Sequence, residues 1–314
     1  FKSSWFALYN GRKDYGESKT MTDFRAGFVS FVGRPNVGKS TLMNAIVGQK
    51  FAITSSKPQT TRKAIRAILN REHGQLIIVD LPGVHRPRTL LGQRLNDLVT
   101  STLTDVDVIA FCSPANERIG PGDKHIVADL ERFPRSKKIA IVTKVDTVSK
   151  ERLAEHLMAV QELANWAEIV PVSGLKGLQV ELLTELLIKQ LPESPQLYPE
   201  DIETDESEDG LICELVREAA LELVEDELPH SLAVTLDEIV QGEDKPNIHV
   251  SLWVERDSQK GIVIGKSGSM LKRIGSEARA QIQNLLGYPV HLSIQVRVAP
   301  DWQRNPKQLG KLGF

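Results

Sequence analysis

The chain has 314 residues, 41% hydrophobic and 25% charged, with a net charge of −2. That length allows two globular domains, the composition is ordinary for a soluble protein, and the total charge says nothing about nucleic acid. No apolar run approaches about 18 residues, which excludes a membrane-spanning helix, and Cys112 and Cys213 lack any CxxC or Cys/His spacing, which excludes a disulfide framework or zinc site and favours reduced cytosolic thiols.

Residues 1–20 mix charge and aromatics without periodicity and read as an appended or poorly ordered extension ahead of Met21. From Phe24 short apolar runs alternate with amphipathic stretches. Strands are expected at Gly27–Val32, Ala64–Leu69, Leu76–Val79, Val108–Phe111 and Ile139–Val142, and helices at Lys39–Val47 and Leu182–Leu191. Continuous apolar runs suit mainly parallel strands covered on both faces, so residues 21–191 read as a doubly wound α/β domain.

The proline-containing stretch from Leu191 to Asp201 marks a linker, taken as 192–209. An acidic helix is expected at Gly210–Glu227, with Leu211, Leu215, Ala219, Leu223 and Val224 on one face. Alternating strands near Ser231–Val240 and Asn247–Val254 follow, then a helix at Ser269–Leu286 and a strand at Val290–Val298. This makes 210–314 a small α+β domain.

Gly33-Arg34-Pro35-Asn36-Val37-Gly38-Lys39-Ser40 fits GxxxxGK(S/T), between a strand and a helix. The glycines let backbone N–H groups of the loop curl around phosphate oxygens, Lys39 reaches the β- and γ-phosphates, Ser40 joins a Mg²⁺ shell, and Thr41 extends the N–H row at the helix start. Asp80-Leu81-Pro82-Gly83, at the tip of a buried strand, matches DxxG: Asp80 holds Mg²⁺ and the Gly83 amide senses the γ-phosphate. Between these motifs Thr61 is the expected switch ligand of Mg²⁺, with Thr60 as the alternative. Lys39, Thr61 and Gly83 form the candidate catalytic set.

Thr143-Lys144-Val145-Asp146 is similar to NKxD, with Thr for Asn. The Asp146 carboxylate accepts two N–H donors of guanine, and a buried carboxylate there penalises adenine by roughly a few kcal/mol. Lys144 lies along the base, and Thr143 is expected to lose a brace on the phosphate loop. Ser173-Gly174 stands where SAx is usual. An ATP-using enzyme would require Asp146 to be incidental.

Gly265-Lys266-Ser267-Gly268, entered by an expected apolar strand Gly261-Ile262-Val263-Ile264, resembles the GxxG loop of a KH domain, which clamps four nucleotides of a single strand. From Pro246 to Phe314 ten Lys/Arg oppose four acids, a net of +6, whereas Glu200–Lys245 carries −15. The basic end is the phosphate-facing side. Lys266, Lys272 and Arg273 are the candidate backbone contacts, the last two otherwise a solvated face. Ile262 and Ile264 line a floor under bases or pack in the core. Trp253 reads as core, Trp302 remains open, and the acidic helix should face away from RNA or contact protein.

The motifs GRPNVGKSTL, PQTTR, DLPG and TKVD in this order, with the linker and the C-terminal half, resemble the Era family of bacterial GTPases over residues 24–314. The resemblance implies a P-loop GTPase followed by a type II KH domain, with GTP/GDP and Mg²⁺ as cofactors and K⁺ stimulation through Asn36. It also implies binding near the 3′ end of small-subunit (16S) ribosomal RNA, a role in 30S maturation, and a cytoplasmic monomer with some peripheral membrane association. Val84, where Ras-like enzymes have a water-orienting Gln, predicts slow intrinsic hydrolysis. An assembly factor with GTP as a structural ligand is the alternative.

Overall fold

The structure is a computed structural model and describes residues 24–49, 61–82, 89–224, 231–242 and 244–314. Thr60, Gly83, Val84 and residues 1–20 lie outside the described residues, and with them the expectations placed there.

In the first half, β1 (Arg25–Val32) leads through the glycine-containing loop into α1 (Lys39–Val47). Then come β2 (Ile65–Arg71), β3 (Gly74–Asp80), α2 (Leu90–Asp105), β4 (Val108–Pro114), α3 (Pro121–Asp129), β5 (Lys137–Thr143), α4 (Lys150–Gln161), β6 (Glu168–Pro171) and α5 (Val180–Gln190). The sheet order is β2-β3-β1-β4-β5-β6, parallel except for the antiparallel β2–β3 pair. β3 and β4 are buried along their whole length, as continuous apolar runs require when helices cover both faces. Because β1 lies between β3 and β4, the chain leaves β1 toward opposite sides. The crevice at the C-terminal strand ends of such a switch point is where an open α/β sheet takes its ligand.

Residues 192–207 do not hang as a free linker. Gln75 is buried and its carbonyl accepts from Leu197 N and Tyr198 N at 2.9 Å each. Ile68 N donates to Glu203 O at 2.8 Å, and Arg66 pairs with Asp205. The segment runs along the rim of the sheet at β2.

The second half contains α6 (Glu208–Leu223), β7 (Ala233–Val240), β8 (Asn247–Val254), α7 (Asp257–Ile264), α8 (Ser269–Leu286), β9 (His291–Val298) and α9 (Pro306–Lys311). Its sheet has the order β7-β8-β9, antiparallel then parallel. Ile248, Val250, Leu252 and Val254 on one face of β8 meet Val216 and Ala220 of α6 and Ile274, Ala278 and Ile282 of α8 in one core.

Two expectations are corrected. The run Gly261–Ile264 is the end of helix α7, not a strand, because Gln259 Oε1 accepts from Glu255 N (2.9 Å) and Arg256 N (3.1 Å) and caps a helical turn. A four-residue apolar run carries no period that separates helix from strand. The acidic helix begins at Glu208, and its buried face is Ile212, Leu215, Val216, Ala219 and Ala220, with Leu211 and Leu223 only half-buried. Glu214, Arg217 and Glu218 on it are buried too, and Glu214 pairs with Arg217.

Both cysteines are free, and burial pushes each thiol up to about 12, so neither is a reactive nucleophile at neutral pH. Among the described residues no helix is long and apolar enough to cross a membrane.

Candidate functional site

The loop Gly33–Gly38 follows β1 without any regular element of its own. Asn36 (φ 63°) and Gly38 (φ 96°) adopt left-handed backbone, which turns successive N–H groups inward. A Cβ on Gly33 would sit 2.6 Å from Cys112 O, so only glycine fits against β4. Gly38 is the N-cap of α1 and offers no side-chain cap, leaving the first-turn N–H groups of Lys39, Ser40 and Thr41 directed at a ligand position.

Lys39 Nζ folds back over the loop and donates to Gly33 O and Arg34 O, both at 3.0 Å. Burial holds its pKa below the ordinary lysine value, and nearby Asp80 works against that shift. An ammonium that is poorly solvated here gains strongly from a phosphate anion. The loop is tied from outside by Arg34, whose Nε meets Asp123 at 2.8 Å and whose Nη2 meets Glu117 at 2.9 Å. Asp123 is fully buried at the start of α3 and also accepts from Gly120 N, so its carboxylate is fixed. Nothing in the local pattern marks Asp123 or Glu117 as partners of the loop, since both lie more than 80 residues away.

Asp80 ends β3 at 2% exposure and accepts a hydrogen bond from Thr61 Oγ1 at 3.0 Å. Burial pushes its pKa up to about 6, against the Thr61 hydrogen bond and the charge of Lys39. Thr61 and Asp80 are thus brought together beside Lys39, and Ser40 starts the adjoining helix. Hydroxyl and carboxylate oxygens are the hard donors that Mg²⁺ prefers, and a buried carboxylate gains from a divalent cation. The donor set fits the metal.

On the base side, Thr143 Oγ1 donates to Val37 O at 2.5 Å, so the threonine braces the phosphate loop through its hydroxyl. The expected loss of that brace is therefore corrected. Thr143→Ala is expected to weaken GDP binding about five- to tenfold through release of a buried hydrogen bond. Titration calorimetry checks this, and a parent-like affinity would remove the bracing role.

Lys144 (φ 56°) points its stem toward Gly38, and Asp146 lies in the short 3-10 turn Val145–Thr147. Asp146 is exposed, not buried as expected. Ser173 is buried, and its Oγ accepts from Lys176 N at 3.1 Å. Gly174 approaches α1 so closely that a Cβ would sit 2.9 Å from Leu42 Cα, which accounts for glycine where alanine is usual.

In the second half Gly265–Gly268 joins α7 to α8. Gly265 (φ 73°), Ser267 (φ 50°) and Gly268 (φ 78°) all have positive φ, and Lys266 and Ser267 project into solvent. Lys272 and Arg273 are exposed on the first turns of α8. Ile262 is 52% exposed beside the loop, whereas Ile264 packs against the core, so the two divide between the alternatives. Trp253 is half-buried. Its Nε1 donates to Thr235 Oγ1, while Arg297 and Lys311 stand over its ring at 5.6 and 5.3 Å. Trp302 is fully buried between the halves, a role no local pattern announced.

The "50S ribosome-binding GTPase" family matches residues 28–144, and the KH domain family matches residues 227–303. GTPase Era of Mycolicibacterium smegmatis is 60% identical over 299 residues, covering 94% of this chain and all of that protein (100%). GTPase Era of Streptomyces coelicolor is 55% identical over 314 residues, covering 96% of this chain and 99% of that one. Among solved structures, Era in complex with MgGDPNP and nucleotides 1506–1542 of 16S ribosomal RNA superposes with a TM-score of 0.88 at 35% identity, covering 92% of this chain and 99% of the other. An Aquifex aeolicus Era variant bound to GDP·AlF4⁻ gives 0.87 at 35% identity, with the same coverages of 92% and 99%.

Proposed function

The chain belongs to the Era family of GTPases, and from that premise we propose that it is a guanine-nucleotide switch on ribosomal RNA. It hydrolyses GTP to GDP and phosphate with Mg²⁺ as cofactor, binds the single-stranded 3′ end of 16S ribosomal RNA, and assists 30S maturation. The observation that carries the reading is the Thr61–Asp80 contact beside Lys39, in the same molecule as an exposed, glycine-bounded GxxG loop.

In this reading residues 21–191 form the GTPase domain and 210–314 the KH domain. The N–H groups from Val37 to Thr41 and the Lys39 ammonium hold the phosphates and offset charge that develops as water attacks the γ-phosphorus. Ser40, Asp80 and Thr61 would hold Mg²⁺, which when bound would offset the negative charge of the phosphates. Thr61 engages only while the γ-phosphate is present, and the Gly83 amide reports the same group. Asp146 reads guanine, flanked by Lys144 and by the turn Ser173–Gly174. Asn36 would hold K⁺, which would add positive charge beside the phosphates. On the RNA side Gly265 and Gly268 admit the backbone, Lys266, Ser267, Lys272 and Arg273 meet phosphates, and Ile262 offers an apolar floor. The family membership also supports a cytoplasmic monomer, part of it held peripherally at the inner face of the membrane.

The test is GTP hydrolysis with Mg²⁺ in K⁺ buffer, with and without a short RNA of the 16S 3′ end. Slow turnover that RNA accelerates, and that falls when Na⁺ replaces K⁺ at constant ionic strength, is the expected result. Equal RNA affinity in the GTP-analogue and GDP states, together with unchanged turnover, would count against a switch. Unchanged turnover in Na⁺ removes K⁺ alone.

A further inference from the structure

Arg62 follows Thr61 directly, yet its side chain leaves the nucleotide site altogether. It is 2% exposed and crosses into the second half, where Nη1 donates to Leu232 O. Its guanidinium carbon stands 5.9 Å from the centre of the Trp302 ring, and Glu214, Arg217 and Glu255 supply the surrounding charges. Burial pushes its pKa down to about 9, with Arg217 adding to the shift and the two glutamates opposing it, so the cation sits here at a cost in solvation that its partners offset.

The seat of Arg62 is itself well fixed. Trp302 is fully buried, donates from Nε1 to Ser231 O at 3.1 Å, and stacks on Phe314 at 5.5 Å. Leu91 and Leu95 of α2, the helix that follows the DxxG segment, share one apolar cluster with Trp302, Leu309 and Leu312. Arg94 on the same helix donates to Phe314 O at 2.6 Å. The chain segments next to both nucleotide-sensing motifs therefore rest on the same few residues of the second half.

From that seat the contacts continue to the GxxG loop. Ser231 Oγ accepts from Gln259 Nε2 at 3.1 Å. The Gln259 carbonyl caps α7, and α7 ends at Ile264, directly before Gly265. Every step from Asp80 to Gly265 is a hydrogen bond, a peptide bond, a ring contact or a single helix.

We propose that Arg62 is a positioning residue for GTP hydrolysis, held by Leu232 and Trp302, and that Ser231 and Gln259 extend its seat to the RNA-clamping loop. Fixing Arg62 fixes Thr61, and a shift of α7 on RNA binding moves the seat of Arg62. The inference rests on the reading above, in which this chain hydrolyses GTP and responds to RNA.

Single-turnover GTP hydrolysis is measured for the full chain and for Arg62→Ala, Arg62→Lys, Trp302→Phe and Gln259→Leu, with and without the 16S 3′-end RNA. Arg62→Ala is expected to lower the saturated rate about tenfold with KM within about twofold, since misplacement of a ligand-bearing segment acts on the transition state. Arg62→Lys recovers part of that rate. Gln259→Leu reduces the ratio of RNA-stimulated to basal rate to about one, because it removes the Gln259 Nε2–Ser231 Oγ hydrogen bond that ties Ser231 to α7. A folded Arg62→Ala protein with parental kcat and parental RNA response overturns the proposal, as does a loss confined to KM. Should Arg62→Ala fail to fold, Trp302→Phe and Gln259→Leu decide: parental RNA response in both overturns it. A parent chain that neither hydrolyses GTP nor responds to RNA sinks the functional reading instead.

Discussion

Asp146→Asn is expected to lower GTP affinity about a hundredfold and to improve binding of xanthosine triphosphate, reversing the preference between the two. In the proposed reading the carboxylate would accept from N1–H and the 2-amino group of guanine. An asparagine turns N–H donors toward those donors, leaving them unpaired. Xanthine carries a carbonyl where guanine carries the amino group, and so restores an acceptor. The backbone that presents residue 146 is fixed independently of its side chain: Val145 N donates to Val172 O at 3.3 Å, and Thr147 Oγ1 to Lys144 O at 2.7 Å. The substitution should therefore change what is read without moving the reader. Competition of GTP, XTP and ATP against a labelled GDP measures it. An unchanged GTP-to-XTP ratio would mean that another group reads the base.

The second large effect is expected at the KH loop. Lys266→Asp combined with Ser267→Asp should weaken binding of the 16S 3′-end RNA about a hundredfold, since each charge-assisted contact to a phosphate contributes about 1.5–3 kcal/mol and the replacements also repel the backbone. Both side chains are exposed, so the fold itself should survive, as a melting curve will register. Gly265→Ala reaches a similar loss by another route. At φ 73° and ψ 175° the backbone is in a region kept for glycine, and the new Cβ would lie 2.7 Å from Met270 Cβ and 2.8 Å from Met270 N. Gly268 has open space around it, so Gly268→Ala carries only the conformational strain of its φ of 78° and should cost less. RNA affinity that ignores all three changes would move the RNA site away from this loop.

Local signals carried much of the fold. Helices α1 and α8 run over the residues the sequence suggests because glycines in left-handed backbone stop each of them, Gly38 and Gly48 for one, Gly268 and Gly287 for the other. Buried parallel strands announce themselves as unbroken apolar runs, as at Val108–Phe111 and Ile139–Val142. The phosphate loop and the Asp80 strand end were legible because motif, strand end and chain order agree. What stayed hidden depends on pairs far apart in sequence. Arg34 with Asp123, Arg66 with Asp205 and Arg62 with Leu232 are separated by 89, 139 and 170 positions, and no periodicity encodes them. Helix α7 was hidden for another reason: its four terminal apolar residues suit a strand equally well, and the deciding cap comes from Gln259, a residue of no special propensity.

The segment 192–205 along β2 has a consequence for solubility and for the location of bending. A strand at the rim of a sheet offers unpaired N–H and C=O groups to any other chain. Here Ile68 N donates to Glu203 O, Arg66 N to the Asp205 carboxylate, and Arg66 O accepts from Thr204 Oγ1 and Asp205 N. The rim is sealed by the chain's own connector. Any rotation of one half against the other that peeled this segment away would uncover a sticky edge. The economical pivot is therefore short and lies beyond the seal, at Glu206–Ser207, immediately before α6 begins. The prolines upstream act as stiffeners of the seal, and the pivot is left to residues without them.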